Sequence, residues 1–124
     1  MIKLDILAIG AHPDDVELGC AGTIAKEISN GKKVGIVDLT RGELGTRGDA
    51  QTRDAESNNA AKLLGAEFRE NLDFLDCFFT NDKEHQIKLV EIIRKYKPNI
   101  VICNAIQDRH IDHSKAAKLV GDAC

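Results

Sequence analysis

Three of the four histidines in this chain fall in two short segments that also carry aspartates. The first is GAHPDD, residues 10–15, with His12, Asp14 and Asp15. The second is NAIQDRHIDH, residues 104–113, with His110, Asp112 and His113. Two imidazoles and one carboxylate, with one position left open for water, are the ligand set of a catalytic zinc site. A closed structural site would use four ligands, usually cysteines. The same set suits non-haem iron, but those sites commonly sit in all-β barrels, so iron ranks second. A carboxylate beside the ligands but off the metal is placed to act as general base. The plainer reading of Asp14 and Asp15 is helix capping after a proline, an effect of about 1 kcal/mol. A lone histidine near a helix start is more often a surface residue than a ligand. The argument for a site rests on the combination. The fourth histidine, His85, lies on an amphipathic stretch and is expected to be solvated.

These residues need a scaffold that brings together segments about a hundred positions apart. Residues 3–9 form an apolar run, as in a strand buried on both faces. A helical pattern follows from Asp15 to Asn30, with Gly31 as a natural stop. Residues 33–40 read as a second strand, and residues 41–49, with three glycines, as a loop. Residues 51–64 are helical, with Ala55, Asn59, Ala60, Leu63 and Leu64 as the small or apolar face and Gly65 ending it. Residues 67–74 make a third strand. Residues 82–96 make an amphipathic helix, with Ile87, Val90, Ile93 and Arg94 marking its faces, broken by Pro98. Residues 99–104 make a fourth strand, and a short helix starts near Asp112. Strand and helix alternate four times, which predicts a Rossmann-like three-layer α/β sandwich with a mostly parallel sheet. In open α/β sheets the ligand site lies beyond the carboxyl ends of the strands. GAHPDD follows the first strand and NAIQDRHIDH the fourth, so both should open onto the same edge.

Composition narrows the function classes. The chain has 124 residues, 43% hydrophobic and 30% charged, which suits one globular domain. A net charge of −3 makes no case for nucleic acid or an anionic membrane. The apolar start is too short to span a bilayer and lacks the features of a signal peptide, so a cytoplasmic location is the default. Cys20, Cys77, Cys103 and Cys124 contain no Cys-x-x-Cys pair and read as reduced structural thiols, two of them in apolar segments. The main rival class is a nucleotide-binding module. Against it, the first strand-helix turn lacks Gly-x-Gly-x-x-Gly, and its carboxylates would repel a pyrophosphate. A metal-binding domain without catalysis is a third possibility.

The stretch GAHPDDVELGCAGTIAKE, with LTRGELGTRGD and DRHIDH, resembles the zinc-dependent de-N-acetylases that act on N-acetylglucosamine conjugates. The likeness is strongest to the deacetylases of bacillithiol biosynthesis, which act on N-acetylglucosaminyl-malate. The resemblance implies that His12, Asp15 and His113 bind Zn2+ and that Asp14 is the general base. It implies that His110 acts as acid or oxyanion stabiliser with Asp112 orienting it. It implies too that Arg53 faces the substrate and that residues 40–43 border the site. The expected partner is a small amino-sugar conjugate, and the longer members form homo-oligomers. Family members run to about twice this length. A helical pattern continues to Cys124, so residues 1–124 are expected to form a single α/β metal-hydrolase domain, the N-terminal portion of a longer family fold.

Overall fold

The computed structural model describes residues 2–45 and 48–124. The loop over residues 41–49 therefore includes two positions, Thr46 and Arg47, outside the described residues. The elements run β1 (Ile6–Gly10), α1 (Asp15–Ser29), β2 (Val34–Thr40), α2 (Ala50–Leu64), β3 (Phe68–Phe74), α3 (Lys83–Tyr96), β4 (Ile100–Ile102) and α4 (Ile111–Ala123). The strands pair in the order β3-β2-β1-β4, and every pairing is parallel. Among the described residues no helix is long and apolar enough to cross a membrane.

The alternation of side chains along β1 and β2 builds the three layers. Leu7, Ile9, Val37 and Leu39 pack with Leu89, Ile92 and Tyr96 of α3 and with Ala116, Leu119 and Val120 of α4. Ile6, Ala8, Val34 and Ile36 face the other way, against Val16 and Ile24 of α1, with Leu64 of α2 at the edge. Strands covered on both faces carry continuous apolar runs, which is why β1 and β2 are legible as strands. The chain then leaves β3, crosses the sheet through α3, and lays β4 on the far side of β1. The reversal of strand order therefore falls between β1 and β4, where such sheets form their crevice.

Several expectations change in detail. β1 starts later than residue 3, and β4 keeps only three residues as an edge strand. In α2 the buried positions are Ser57 and Ala61, while Leu63 is 89% exposed. The reason is polar: Arg69 Nη1 of β3 donates to the Ser57 carbonyl at 3.2 Å, so a hydrogen bond to the backbone rather than an apolar stripe sets this face. In α3 the inward stripe is Leu89, Ile92 and Tyr96, and Ile87 is exposed. His85 is half-buried rather than solvated, edge-on to the Phe74 ring at 4.5 Å. All four cysteines are free, but Cys103 and Cys124 are exposed and Cys20 and Cys77 only partly buried.

Candidate active site

Beyond the C-terminal ends of β1 and β4 the two polar segments meet. Ala11 N donates to the Asn104 side-chain oxygen at 2.9 Å, stitching the exit of β1 to the exit of β4. From β2, Thr40 donates through N and Oγ1 to the Ala11 carbonyl, at 3.1 and 3.0 Å. These bonds satisfy backbone that would otherwise be stranded at the strand ends.

On this frame His12, Asp15 and His113 each offer a ligand atom, all within 4.8 Å of one another. Asp15 Oδ2 lies 3.4 Å from His12 Nδ1 and 3.3 Å from His113 Nε2. Two donors that share a tetrahedral ion at about 2.0–2.1 Å stand about 3.3–3.4 Å apart, so the donor set fits zinc in spacing and in kind. The outer nitrogens of both rings face carboxylates. His12 Nε2 is 2.8 Å from Asp112 Oδ2 and 3.1 Å from Asp76 Oδ1, and His113 Nδ1 is 3.0 Å from Asp108 Oδ2. Carboxylates behind ligand histidines fix the tautomer and the ring orientation. Burial works against a proton on His12, but hydrogen bonds to Asp15 and Asp112 and the charge of Asp76 outweigh it, and its pKa rises from 6.5 to about 9. Asp15 is held below the usual carboxylate range: burial opposes this, and the hydrogen bonds from the His12 ring and backbone prevail.

Asp14 stands at the N-cap of α1 yet makes no capping hydrogen bond, and its backbone is left-handed at φ 96°. Asp15 Oδ2 instead accepts from His12 N at 2.9 Å. Asp14 is exposed, and burial together with the neighbouring Asp15 pushes its carboxyl upward against the pull of Arg53. A carboxylate with a raised pKa, beside a metal ligand set, can take a proton from water.

His110 is exposed, its ring 4.7 Å from that of His12 and stacked 5.0 Å from that of His113. Its expected pairing with Asp112 takes a different form. The Asp112 backbone N–H donates to His110 Nδ1 at 3.1 Å, while the Asp112 carboxylate serves His12 and accepts from Cys77 N at 3.0 Å. Asp112 is fully buried, and those bonds hold it ionised in spite of burial. Arg53 Nη1 donates to the Gly42 carbonyl at 3.2 Å, beside Asp14. A Cβ on Gly42 would lie 2.1 Å from that nitrogen, so residues 40–43 form a wall that Arg53 packs against. His12, Asp14, Gly42, Arg53, Asp76 and His110 line one cleft.

Two site residues escape a reading of the sequence. Asp76 is 4% exposed, reaches His12, and accepts from Leu44 N at 3.0 Å. It sits among Phe74, Leu75, Phe78 and Phe79, so it reads as an interruption of core. Its place just past a strand end was the available signal. Asn104, whose amide also reaches Asp15 Oδ2 at 3.3 Å, was hidden at the end of a strand.

Comparisons with known proteins bear on what this arrangement serves. The family model described as GlcNAc-PI de-N-acetylase matches residues 7–124. The chain is 39% identical to the uncharacterized deacetylase YaiS of Escherichia coli over 114 residues, 87% of this chain and 61% of that protein. A conserved protein of Thermus thermophilus superposes with a TM-score of 0.92 at 42% identity, covering 97% of this chain and 55% of the other. The N,N'-diacetylchitobiose deacetylase of Pyrococcus horikoshii, solved with an inhibitor, superposes with a TM-score of 0.88 at 30% identity, covering 95% and 48%. The chain thus spans about half to three-fifths of the length of these relatives.

Proposed function

This chain belongs to the GlcNAc-PI de-N-acetylase family, and from that premise we propose that it hydrolyses the acetamide of an N-acetylglucosamine conjugate to a free amine and acetate. The observation that carries the reading is the spacing of Asp15 Oδ2 from His12 Nδ1 and His113 Nε2, with Asp14 beside them and its side chain making no capping bond. His12, Asp15 and His113 would hold Zn2+, which when bound polarises a carbonyl and lowers the pKa of water to about 7. Asp14 takes the proton of the water whose oxygen attacks the acetyl carbon. His110 faces the developing oxyanion or gives a proton to the sugar nitrogen as the C–N bond breaks. Asp112 and Asp76 keep the His12 ring in place from behind. Arg53 faces the sugar conjugate across the cleft. The enzyme works on a small molecule in the cytoplasm, as a homo-oligomer, without nucleic acid or membrane.

Within this class we take N-acetylglucosaminyl-malate, in bacillithiol biosynthesis, as the substrate. Two things support it: the likeness of the two polar segments to those deacetylases, and a cation, Arg53, at the cleft that a malate carboxylate would meet. The test is acetate release by the purified protein, metal-stripped and then zinc-loaded. N-acetylglucosaminyl-malate, diacetylchitobiose and N-acetylglucosamine are compared. Zinc-dependent release fastest from the malate conjugate is expected. Release fastest from diacetylchitobiose overturns the malate assignment. Zinc bound at the three ligands with no release from any conjugate leaves a metal-binding domain without catalysis.

A further inference from the structure

The two aspartates of the site ride on the first turn of α1, which a kink sets off from the rest of the helix. Helical geometry fails at Cys20, where φ is −148° and ψ is 21°, so residues 15–19 form a separate turn at the head of the helix. The Cys20 thiol meets the Val16 carbonyl at 3.4 Å. Beneath the turn lies Gly10, where a Cβ would stand 3.0 Å from Asp15 Cβ and 3.2 Å from Val16 Cγ2. The turn therefore sits directly on the end of β1, with no side chain between to set its rotation. Asp15 Oδ2 accepts from His12 N and from the Asn104 amide, and further along the turn Glu17 is held from the side. Arg69 of β3, 3% exposed, places Nη2 2.9 Å from Glu17 Oε1. The same guanidinium is clamped to Asp38 of β2, through Nε at 2.7 Å and Nη2 at 2.9 Å, and to the Ser57 carbonyl.

We propose that Arg69, acting through Glu17, is a positioning residue that sets the angle at which the Asp14–Asp15 turn presents its carboxylates to the metal ligands. The inference rests on the metal reading above and names residues that touch neither metal nor substrate. Arg69 suits the task because its planar fork is anchored twice in the sheet before it reaches the helix. Glu17 follows Asp15 by two residues on the same turn, so a rotation of Glu17 swings Asp15 against His12 and His113. Asp15 Oδ2 meets those rings at 3.4 and 3.3 Å, and a shift of about 1 Å would take it out of register with them.

The test compares Glu17→Ala and Glu17→Gln with the parent protein. Zinc affinity is measured by chelator competition, and amide exchange across residues 11–20 is followed by mass spectrometry in the metal-free state. Glu17→Ala should weaken zinc binding about ten- to a hundredfold. It should also speed exchange in that segment alone, with the melting temperature moving by no more than about 4 °C. Glu17→Gln keeps an oxygen to accept from Arg69 Nη2 and should stay within about threefold of the parent, as an ion pair becomes a hydrogen bond in which only the guanidinium is charged. Parental affinity and exchange in Glu17→Ala overturn the proposal. Equal losses in both variants also overturn it, because the charge of Glu17 rather than its bond would then be at work. Faster exchange throughout the chain with a large fall in melting temperature assigns a purely structural role and overturns it as well. A parent that binds no zinc refutes the metal reading instead, while the exchange data still report on the hold itself.

Discussion

Asp14 keeps a left-handed backbone that costs a non-glycine residue about 1–2 kcal/mol, and no capping bond offsets it. Strain of this kind persists where the surroundings enforce it, and here it aims a carboxylate into the cleft. Asp14→Asn should therefore retain zinc and lose about 10²–10⁴-fold in turnover. Metal content and rate measured on one preparation decide the matter, since loss of both together would make Asp14 a ligand. Asp112→Asn should behave differently, because its carboxylate backs His12. The expected outcome is a fall of about 10–100-fold in zinc affinity, read by competition with a chelating dye. His12 itself sets the pH dependence. With its pKa raised to about 9 in the metal-free fold, it carries a proton at neutral pH that the metal must displace. Zinc affinity should climb about tenfold per pH unit between pH 7 and 8 from this group, with a proton released on binding, and level off above pH 9. In the metal-free protein the same proton stabilises the fold fully below pH 6.5, and that contribution is lost as pH rises through about 9. Melting curves at pH 6 and pH 10 check the sign.

Among the elements, the loop after β2 is the one whose shape depends most directly on a single atom. Gly42 has φ +63°, and a Cβ there would meet Arg53 Nη1. Gly42→Ala should cost about 1 kcal/mol in stability and raise the Michaelis constant more than it lowers turnover, since it displaces Arg53 rather than the proton-transfer groups. Steady-state kinetics beside thermal melting would show this, and an unchanged Michaelis constant would detach Arg53 from substrate binding. The same region shows what could be read from residues alone. β1 and β2 are plain because both faces are covered and most positions are apolar, with Asp38 and Thr40 the polar exceptions near the end of β2. GAHPDD and DRHIDH are plain because histidine beside aspartate is rare and falls past strand ends. The inward face of α2 is not legible, because Arg69 reaches Ser57 through a backbone carbonyl that carries no residue identity. The partner of Asp112 is not legible either. Its spacing from His110 suggests a pair, but the side chain turns to a histidine a hundred residues away.

At the scale of the whole segment, β4 stands out, since among the described residues it pairs with β1 alone. Ile100 is 55% exposed there, and Ile106 just beyond is 79% exposed. A bare parallel edge beside apolar side chains invites pairing with another chain. Residues 1–124 in solution should therefore self-associate, and Ile106→Lys should shift the size-exclusion profile toward monomer.

The ligands come from the exits of β1 and β4, and that has a consequence for the order of events in folding. Closing a loop of 100 residues costs about 4 kcal/mol of chain entropy, and the docking of β4 on β1 is the step that brings the two ligand segments together. The ion cannot act as a seed around which the chain gathers; it is a latch that engages after β4 has docked on β1. In a stopped-flow refolding experiment with excess zinc, metal capture should trail the formation of structure and show a rate independent of zinc concentration. Once engaged, the latch should slow unfolding and leave the folding rate almost unchanged.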